Sequence, residues 1–419
     1  PFLKRRNGEE PVDYPSEDIK DVLSRTLGVP IFQEQVIKLA MVAAGFTGGE
    51  ADQLRRAMAS WKKSGELFKF KAKLINGMLE RGYEQGFAER IFEQICGFGE
   101  YGFPESHSAS FAVLAYVSAW LKYYYPAAFY TSLLNSLPMG FYSASQLVQD
   151  AQRHQIEVMP VCINHSDVNH KLENIRSPSI CLGLRQVKGL SKKGMDRVVE
   201  ARPKEGYCTP LELKSIGLSR QDIEVLASAN AFRNLSSNRY ATRWDLMNTE
   251  GELPLLSSTQ QGLNQRPSQP GRHDAFQFNP NAFETLLEDY ASLGLTLESH
   301  PITLLDRAGK IGAFSRANQL LEIPHKSFVN VVGVVTGRQA PGSAAGVTFM
   351  TLEDDTGNIN VVVWAGTARA QKQPFLTAKV LNIKGILERE GEVVHVIAGK
   401  LSDMTDHLGS LCSSSRDFH

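Results

Sequence analysis

Five short runs rich in β-branched residues lie between residues 327 and 400, and they restrict the fold of this part of the chain more than any other feature. Turn signals such as Asp355-Thr356-Gly357 and Glu390-Gly391 separate them. Closely spaced short strands suit a small closed barrel, and an OB-fold is the leading candidate. The predicted strands cover residues 328–335, 347–352, 359–364, 380–387 and 393–398.

Residues 33–136 have a helical pattern instead. Apolar residues recur there at helix spacing, and glycines divide the pattern into several helices. A strongly apolar helix is predicted from Ser106 to Tyr125, and Pro126 should end it or start another. Helical segments followed by a β-rich segment predict a multidomain α+β fold, and a chain of 419 residues is long enough for several domains.

A short unit occurs twice between these regions. Val187-Lys188-Gly189-Leu190-Ser191 and Ile216-Gly217-Leu218-Ser219 each join two short helical patterns, which is typical of a helix-hairpin-helix motif. A glycine turn exposes backbone N–H groups at a helix N-terminus, where they can bind a DNA phosphate without reading sequence. An ordinary helical hairpin is the alternative, and the second copy is less basic. The candidate DNA-binding residues here are Lys188, Gly189, Ser191, Lys192, Lys193 and Gly217.

Charge is distributed unevenly, although the whole chain is neutral with 45 basic and 45 acidic residues. Seven basic residues stand against one acid between Leu54 and Lys73, and seven stand against two between Cys181 and Lys204. Two basic patches in a neutral chain indicate a protein that meets phosphates at particular places.

Two segments of the helical region are candidates for binding a triphosphate. Arg55 and Arg56 lie beside an apolar seam, and a guanidinium group can bind two phosphate oxygens at once. Ser106, His107 and Ser108 begin the apolar helix and could offer hydroxyl, imidazole and backbone donors to an anion. From the residues alone, a solvated helix face and a helix cap are the alternatives.

The predicted barrel carries further candidates for binding a single strand. Phe349 and Trp364 could stack on bases, with Arg338 or Lys384 near the backbone of the strand. A barrel must also fill its own interior, so packing of both aromatic residues there is at least as strong an alternative. We interpret Asp354 and Asp355 as turn residues and not as metal ligands.

The sequence lacks the motifs of several enzyme classes: it has no Asp-x-Asp, no P-loop, no His-Glu-x-x-His and no Gly-x-Ser-x-Gly. Two-metal phosphoryl transfer needs closely spaced carboxylates, so we predict no catalytic residue and no metal site in this chain. Five scattered cysteines without a C-x-x-C pair favour a reducing cytoplasm. The longest uncharged stretch of the first half is too short to span a bilayer, so no membrane association is expected.

Several longer strings of the chain resemble the bacterial C-family DNA polymerases of the polymerase III α-subunit type. Their amino-acid sequences resemble the error-prone branch more than the replicative one, and the strings occur in the same order along the chain. The strings are PIFQEQV (residues 30–36), AGFTGGEADQLRRAM (44–58), FGEYGFPESHSASF (98–111), LNSLPMGFY (134–142), LGLRQVKGL (182–190) and GVTFMTLEDDTG (346–357).

The resemblance implies a domain order. It begins with all-helical fingers, continues with a tandem helix-hairpin-helix domain on duplex DNA, and ends with an OB-fold towards the single-stranded template. The expected segments are a connection from a missing palm (1–32), fingers (33–172), helix-hairpin-helix domain (173–235), flexible linker (236–280), helical connector (281–325), OB-fold (326–402) and frayed tail (403–419).

The resemblance also implies an activity, which is template-directed addition of deoxynucleotides in DNA repair and damage-induced translesion synthesis. Arg55, Arg56, Ser106, His107 and Ser108 would lie near the incoming dNTP, and the complete enzyme would use Mg²⁺. Expected partners are primer-template DNA, the dNTP, accessory translesion proteins and, through them, the sliding clamp. The expected location is the bacterial cytoplasm, in association with the nucleoid.

In this family the palm with its catalytic aspartates precedes the fingers, so the chain resembles a C-terminal fragment that binds DNA without polymerising alone. A DNA-binding scaffold without catalysis is one alternative. A fragment of the replicative α-subunit is another, but the error-prone strings and the missing clamp-binding pentapeptide disfavour it.

Overall fold

The computed structural model describes residues 1–64, 68–98, 104–140, 142–174, 177–247, 279–341, 346–409 and 416–418. The chain divides into two compact units, residues 1–120 and 121–419.

The first unit is helical. Its core is formed by buried apolar residues from most of its helices, among them Leu39, Leu54 and Ile95. The helices are α1 (Phe2–Arg6), α2 (Glu17–Leu23), α3 (Gln33–Ala44), α4 (Gly48–Ser64), α5 (Phe68–Glu80), α6 (Gln85–Phe98) and α7 (Glu105–Tyr124), whose last residues belong to the second unit.

Residues 1–32 were predicted to be an irregular connection, and this is wrong for the two helices α1 and α2. The Ser16 side chain accepts a hydrogen bond from the Ile19 N–H and starts helix α2. Ile19 and Leu23 lie four residues apart on one helix face and are each 1% exposed in the core. The cap and this spacing were present in the sequence, but the many polar residues around them concealed the helix.

The second unit begins with helices around a small sheet. Helices α8 (Pro126–Asn135) and α9 (Ala144–Arg153) are followed by strands β1 (Val158–Met159), β2 (Lys171–Glu173) and β3 (Ser179–Cys181), in the order β1-β3-β2. Helices α10 (Lys192–Glu200), α11 (Glu212–Ser215), α12 (Arg220–Ser228) and α13 (Arg239–Met247) come next. All of these elements except β2 contribute to one apolar core, which includes Leu134, Ile180, Leu226 and Phe232.

Helix α13 lies inside the segment predicted to be a flexible linker, residues 236–280, and corrects that prediction for residues 239–247. Arg239 is 2% exposed; its guanidinium group pairs with Asp289 and donates to the Ser228 carbonyl. A buried ion pair orders this helix, and its partner stands 50 residues further along the chain. Residues 248–278 of the predicted linker lie outside the described residues.

Two further helices, α14 (Ala282–Ser292) and α15 (Pro301–Arg307), support the barrel. Leu286 and Tyr290 of α14 and Ile302 of α15 form a buried cluster with Val332 and Val334 of the first barrel strand. The segment predicted as a helical connector therefore packs against the barrel.

The barrel is a closed ring of five strands, as predicted. The strands are β4 (Phe328–Gln339), β5 (Thr348–Glu353), β6 (Asn358–Val363), β7 (Val380–Glu390) and β8 (Val393–Asp403). They pair in the order β5-β6-β8-β7-β4, and the pairing of β4 with β5 closes the ring. Two short helices that were not predicted, α16 (Ala365–Ala370) and α17 (Lys372–Thr377), join β6 to β7.

Two features at the edge of the barrel bear on the predictions of a turn at Asp354 and of a frayed tail. Asp354 is a turn residue as predicted, because its Oδ1 accepts the Thr356 and Gly357 N–H groups at 2.7 and 2.9 Å. The tail predicted to fray from residue 403 is instead ordered in two places: Leu408 is 2% exposed, and strand β9 (Arg416–Phe418) pairs with β4.

The buried pair on α13 gives a stability prediction. Replacing Arg239 with Ala leaves the Asp289 carboxylate buried without its counter-ion, so local stability should fall by about 3–5 kcal/mol. Hydrogen exchange of residues 239–246 measures this as faster opening of α13. The matched control is Arg243→Ala, because Arg243 pairs with Glu288 at a more exposed position and should cost about 1 kcal/mol or less. Equal effects of the two variants would contradict the assigned role of the buried pair.

Candidate nucleic-acid interface

The two predicted hairpins have the same local construction. In the first, a turn at Gly189 leads into α10, and the Ser191 hydroxyl accepts the Gly194 N–H at 2.9 Å. In the second, a turn at Gly217 leads into α12, and the Ser219 hydroxyl accepts the Asp222 N–H at 3.0 Å. Each turn is therefore followed directly by a helix whose N-terminus is capped by a serine.

The residue types at these turns follow from backbone geometry. Gly189 and Gly217 have φ values of +82° and +76°, a region in which a β-carbon is strained. Ser191 and Ser219, which stand where a second glycine is common, have extended backbones and act as helix caps. Serine at these positions thus strengthens the helix start and leaves the glycine turn intact.

Asp222 joins the hairpins to each other, and the sequence analysis missed it. Its Oδ1 accepts the backbone N–H of Ser191 at 2.9 Å, and its Oδ2 accepts the hydroxyls of Ser191 and Ser219 at 3.1 and 2.7 Å. Burial of this side chain opposes its ionisation, but these hydrogen bonds outweigh burial and hold the pKa of Asp222 below its usual value. A carboxylate three residues after Ser219 was the available signal, but only the fold brings Ser191 to it.

Both turns line one open cleft of about 410 Å³, which we call the hairpin cleft. Arg197 lies in it and donates a hydrogen bond to the Gly217 carbonyl, so it also ties α10 to the second turn. Lys192 and Lys193 are exposed at the start of α10, and their backbone N–H groups have no acceptor among the described residues. The lining residues are Gly189, Ser191, Lys193, Gly194, Arg197, Gly217, Ser219, Gln221 and Asp222.

Lys188 was predicted to bind DNA together with Lys192 and Lys193, but its side chain contacts helix α14 instead. Its Nζ donates to the Tyr290 carbonyl at 2.7 Å, and its N–H donates to the Ser292 carbonyl at 2.8 Å. Lys188 therefore attaches the first hairpin to helix α14, and the hairpin cleft does not include it.

The predicted triphosphate-binding arginines share one carboxylate. Asp52 pairs with Arg55 at 3.0 Å and with Arg56 at 2.8 Å, one helical turn away on α4. The hydrogen bond from Arg55 is the largest cause that lowers the pKa of Asp52. The pairing holds two partly exposed guanidinium groups side by side, and the sequence analysis did not single out Asp52.

The predicted Ser-His-Ser group lies in the first turn of α7. The helix begins at Glu105, so Ser106 is inside the helix and is not its cap. The Glu105 N–H donates to Glu34 at 2.9 Å, and the Ser108 hydroxyl donates to the Pro104 carbonyl. The rings of His107 and Phe111 are in tilted contact with centroids 4.3 Å apart, and both Ser106 and His107 are exposed.

Two aromatic residues on the barrel lie outside its core. Phe349 is 44% exposed and pairs with Val362 across β5 and β6, and Trp364 is 55% exposed two residues beyond Val362. Residues two apart on an extended segment face the same side, so the two aromatic side chains share one outer face. The alternative that they fill the barrel interior is therefore wrong.

The two basic residues predicted beside them do not form one surface with them. Arg338 is 8% exposed, and its guanidinium group donates to the carbonyls of Phe375 and Ala378, which makes it a structural residue. Lys384 is exposed but pairs with Asn330 on β4, whereas Phe349 pairs with Gln339. Nine residues of strand separate those two positions, or roughly 30 Å.

Possible ligands of a metal ion do not cluster in the described part of the chain. No group of three or more His, Cys, Asp or Glu side chains that could hold one occurs among the described residues. The described residues therefore do not provide a ligand set for the Mg²⁺ expected in the complete enzyme.

The Asp222 bridge gives a prediction about stability and pH. Asp222→Asn should lower stability by about 1–3 kcal/mol at neutral pH, because the amide nitrogen cannot accept these hydrogen bonds. Because the pKa of Asp222 is lowered in the folded state, its ionised carboxylate stabilises the fold at pH values above the ordinary carboxyl pKa. This stabilisation is lost as the pH falls through the folded-state pKa. The difference between the wild type and the variant in thermal unfolding should therefore shrink on acidification. A difference that grows on acidification would contradict the bridge.

Three segments of the chain match known family models. Residues 1–82 match the bacterial DNA polymerase III alpha subunit finger domain, residues 155–242 match a helix-hairpin-helix motif, and residues 329–404 match an OB-fold nucleic acid binding domain. The finger match includes residues 1–32, which agrees with the packing of α2 in the first core.

Curated relatives match the chain over its whole length. The error-prone DNA polymerase of Vibrio parahaemolyticus is 67% identical over 423 residues, and those of Idiomarina loihiensis and Alkalilimnicola ehrlichii are 52% and 50% identical over 426 and 422 residues. Each alignment covers 100% of this chain and 40% of the relative. The chain thus spans well under half the length of these relatives, and over its whole length it is similar to bacterial error-prone DNA polymerases.

Proposed function

We propose that this chain is the part of an error-prone DNA polymerase that grips primer-template DNA, and that nucleotide addition belongs to the whole enzyme. The observation that carries the proposal is the hairpin cleft, where two glycine turns and two capped helix starts meet at Asp222. The relatives are named as error-prone DNA polymerases, which favours this branch over the replicative α-subunit.

Duplex DNA is the proposed ligand of the hairpin cleft. The N–H groups of Lys192 and Lys193 lie at the positive end of α10, and both side chains are exposed beside them. Backbone donors and flexible lysines recognise a phosphate and not a base, so the binding should be independent of sequence. A polymerase that follows its template through any sequence needs this kind of contact.

The charge of Asp222 is compatible with a phosphate nearby. This side chain is 6% exposed, and its oxygens accept three hydrogen bonds from the turns themselves. Its role in the proposal is to fix the relative position of the two turns. Phosphates would contact the exposed start of α10, where Lys192 and Lys193 lie.

The outer face that carries Phe349 and Trp364 is the proposed contact for single-stranded template. Exposed aromatic rings bind bases by stacking, and every base offers a suitable face. Lys384 is too far along the barrel to serve the same nucleotide and would contact the strand elsewhere, while Arg338 is excluded by its burial.

The incoming dNTP is proposed to bind near Arg55 and Arg56, with Ser106, His107 and Ser108 as further donors. The support is that Asp52 already aligns the two guanidinium groups, which lowers the entropy lost when they bind phosphate oxygens. Mg²⁺ would be required by the complete enzyme, and the carboxylates that hold it would come from other parts of the family's polypeptide. Accessory translesion proteins and, through them, the sliding clamp remain proposed partners in repair and damage-induced synthesis.

A salt titration of duplex binding tests the hairpin proposal. Replacing Lys192 and Lys193 together with Ala should make the plot of log affinity against log salt less steep by about 2 units, because each lost phosphate contact removes about 0.9. Lys38→Ala is the matched control, since Lys38 is an exposed lysine on α3. An unchanged slope in the double variant, or an equal change in the control, would contradict the proposal.

The barrel face is tested with single-stranded oligonucleotides. Replacing Phe349 and Trp364 with Ala should weaken binding by about 1–3 kcal/mol for each stacked base, and thermal stability should stay unchanged because both residues are exposed. Phe328→Ala is the control, since Phe328 is 71% exposed on the same barrel but pairs with Ile386 of β7. If only the control weakens binding, the strand follows a different face.

A further inference from the structure

Helix α7 leaves an unusual amount of apolar surface exposed. None of its residues is buried, although most of its large side chains are apolar or aromatic. The exposed fraction is 73% for Tyr116 and 79% for Tyr123. The exposed large residues are Phe111, Val113, Leu114, Tyr116, Val117, Trp120, Leu121, Tyr123 and Tyr124.

These residues extend around most of the helix and do not form one stripe. At 100° per residue, Leu114 and Tyr116 point to sides about 160° apart, and Phe111 lies on a further side. A helix that is apolar on all sides belongs in a protein core or a membrane. No helix in the described ranges is long and apolar enough to cross a membrane, so a protein core is the remaining environment.

The amount of exposed surface supports the same conclusion. At their exposed fractions, the five large aromatic residues alone present roughly 600 Å². Monomeric proteins rarely leave contiguous apolar patches larger than a few hundred Å². The exposed surface of α7 is therefore expected to be covered by another protein surface.

We infer that α7 is a core helix of the whole polymerase, enclosed by the part of the polypeptide that this chain does not span. The relatives are much longer than this chain, which covers 40% of their length, so a large body of protein is available to enclose it. The inference rests on the similarity to these relatives and does not depend on the proposed DNA contacts.

A second copy of this chain fits the surface less well. Pairing two α7 helices would cover one stripe on each and leave the opposite sides in water. Enclosure from several sides requires a groove or a helical layer, which a folded domain can provide. Ser108, Ala112, Ala115 and Ala119 form one row of small side chains along α7, where a neighbouring helix can approach closely.

Charge indicates the chemistry of the covering surface. The charged residues of α7 are Glu105 and Lys122, and both already have partners within the chain, Arg25 and Asp150. The enclosing surface therefore needs no compensating charges and should be apolar. Because α7 starts at the predicted Ser-His-Ser group, the enclosing part would also lie beside the proposed dNTP site.

Hydroxyl-radical footprinting without DNA tests the inference. The 419-residue chain and the full-length polymerase are oxidised in parallel, and modification of Tyr116, Trp120 and Tyr123 is measured by mass spectrometry. We expect strong labelling in the chain alone and several-fold protection in the full-length enzyme. Buried Phe232 is the low-labelling reference, and exposed Phe328 is the high-labelling reference.

Two results would overturn the inference. Equal labelling of α7 in both proteins means that the rest of the polymerase does not cover it. Protection that already occurs in the isolated chain and grows with concentration means that a second copy covers it. Neither reading depends on nucleic-acid binding, so failure here is distinguishable from failure of the proposed function.

A substitution gives an independent check. Tyr116→Asp should leave the melting temperature of the isolated chain unchanged, because the side chain is exposed there. In the full-length polymerase it should lower the melting temperature by several degrees, because a carboxylate would enter an apolar interface. Equal melting-temperature changes in both proteins would also overturn the inference.

Discussion

The hydrogen bonds of the Asp222 carboxylate are the interaction on which the proposed DNA-binding surface depends. This carboxylate accepts hydrogen bonds from both hairpin turns, so two short helical units that are separate in sequence are joined and line one cleft. Either glycine turn alone would be an ordinary helical hairpin. The joined turns fix exposed backbone donors and lysines in a constant geometry, which a contact with successive phosphates requires.

Polar contacts to helix α14 connect this cleft to the rest of the second unit. Lys188 attaches the first hairpin to the Tyr290 carbonyl, and the buried Arg239–Asp289 pair attaches α13 to the same helix. Helices α14 and α15 then share an apolar cluster with strands β4 and β7 of the barrel. Glu353 on β5 adds a buried polar contact, since it accepts from Gln149 of α9 at 2.8 Å. The hairpins and the barrel are thus parts of one packed body.

The first unit combines a buried apolar core with one exposed apolar helix. Helices α2 to α6 enclose a well-buried core, whereas α7 leaves that core and exposes its apolar side chains. A compact body with one exposed apolar helix is typical of a piece of a larger assembly. The paired arginines of α4 and the Ser108 hydroxyl at the start of α7 are each held by local contacts. Their proposed common role at a nucleotide depends on the enclosing part of the enzyme.

The sequence by itself determined the order of the helical region, the paired hairpins and the five-strand barrel, because apolar periodicity and glycine turns are local properties of the chain. It also placed the glycines and serines at the two turns. Only the tertiary structure decided which polar residues meet, since these partners are distant in sequence. Asp222 accepts a hydrogen bond from the first hairpin, and Arg239 pairs with Asp289. Lys188 donates to a carbonyl of α14, and the buried Arg338 donates to backbone carbonyls. Each of these long-range contacts depends on packing, which no local pattern records.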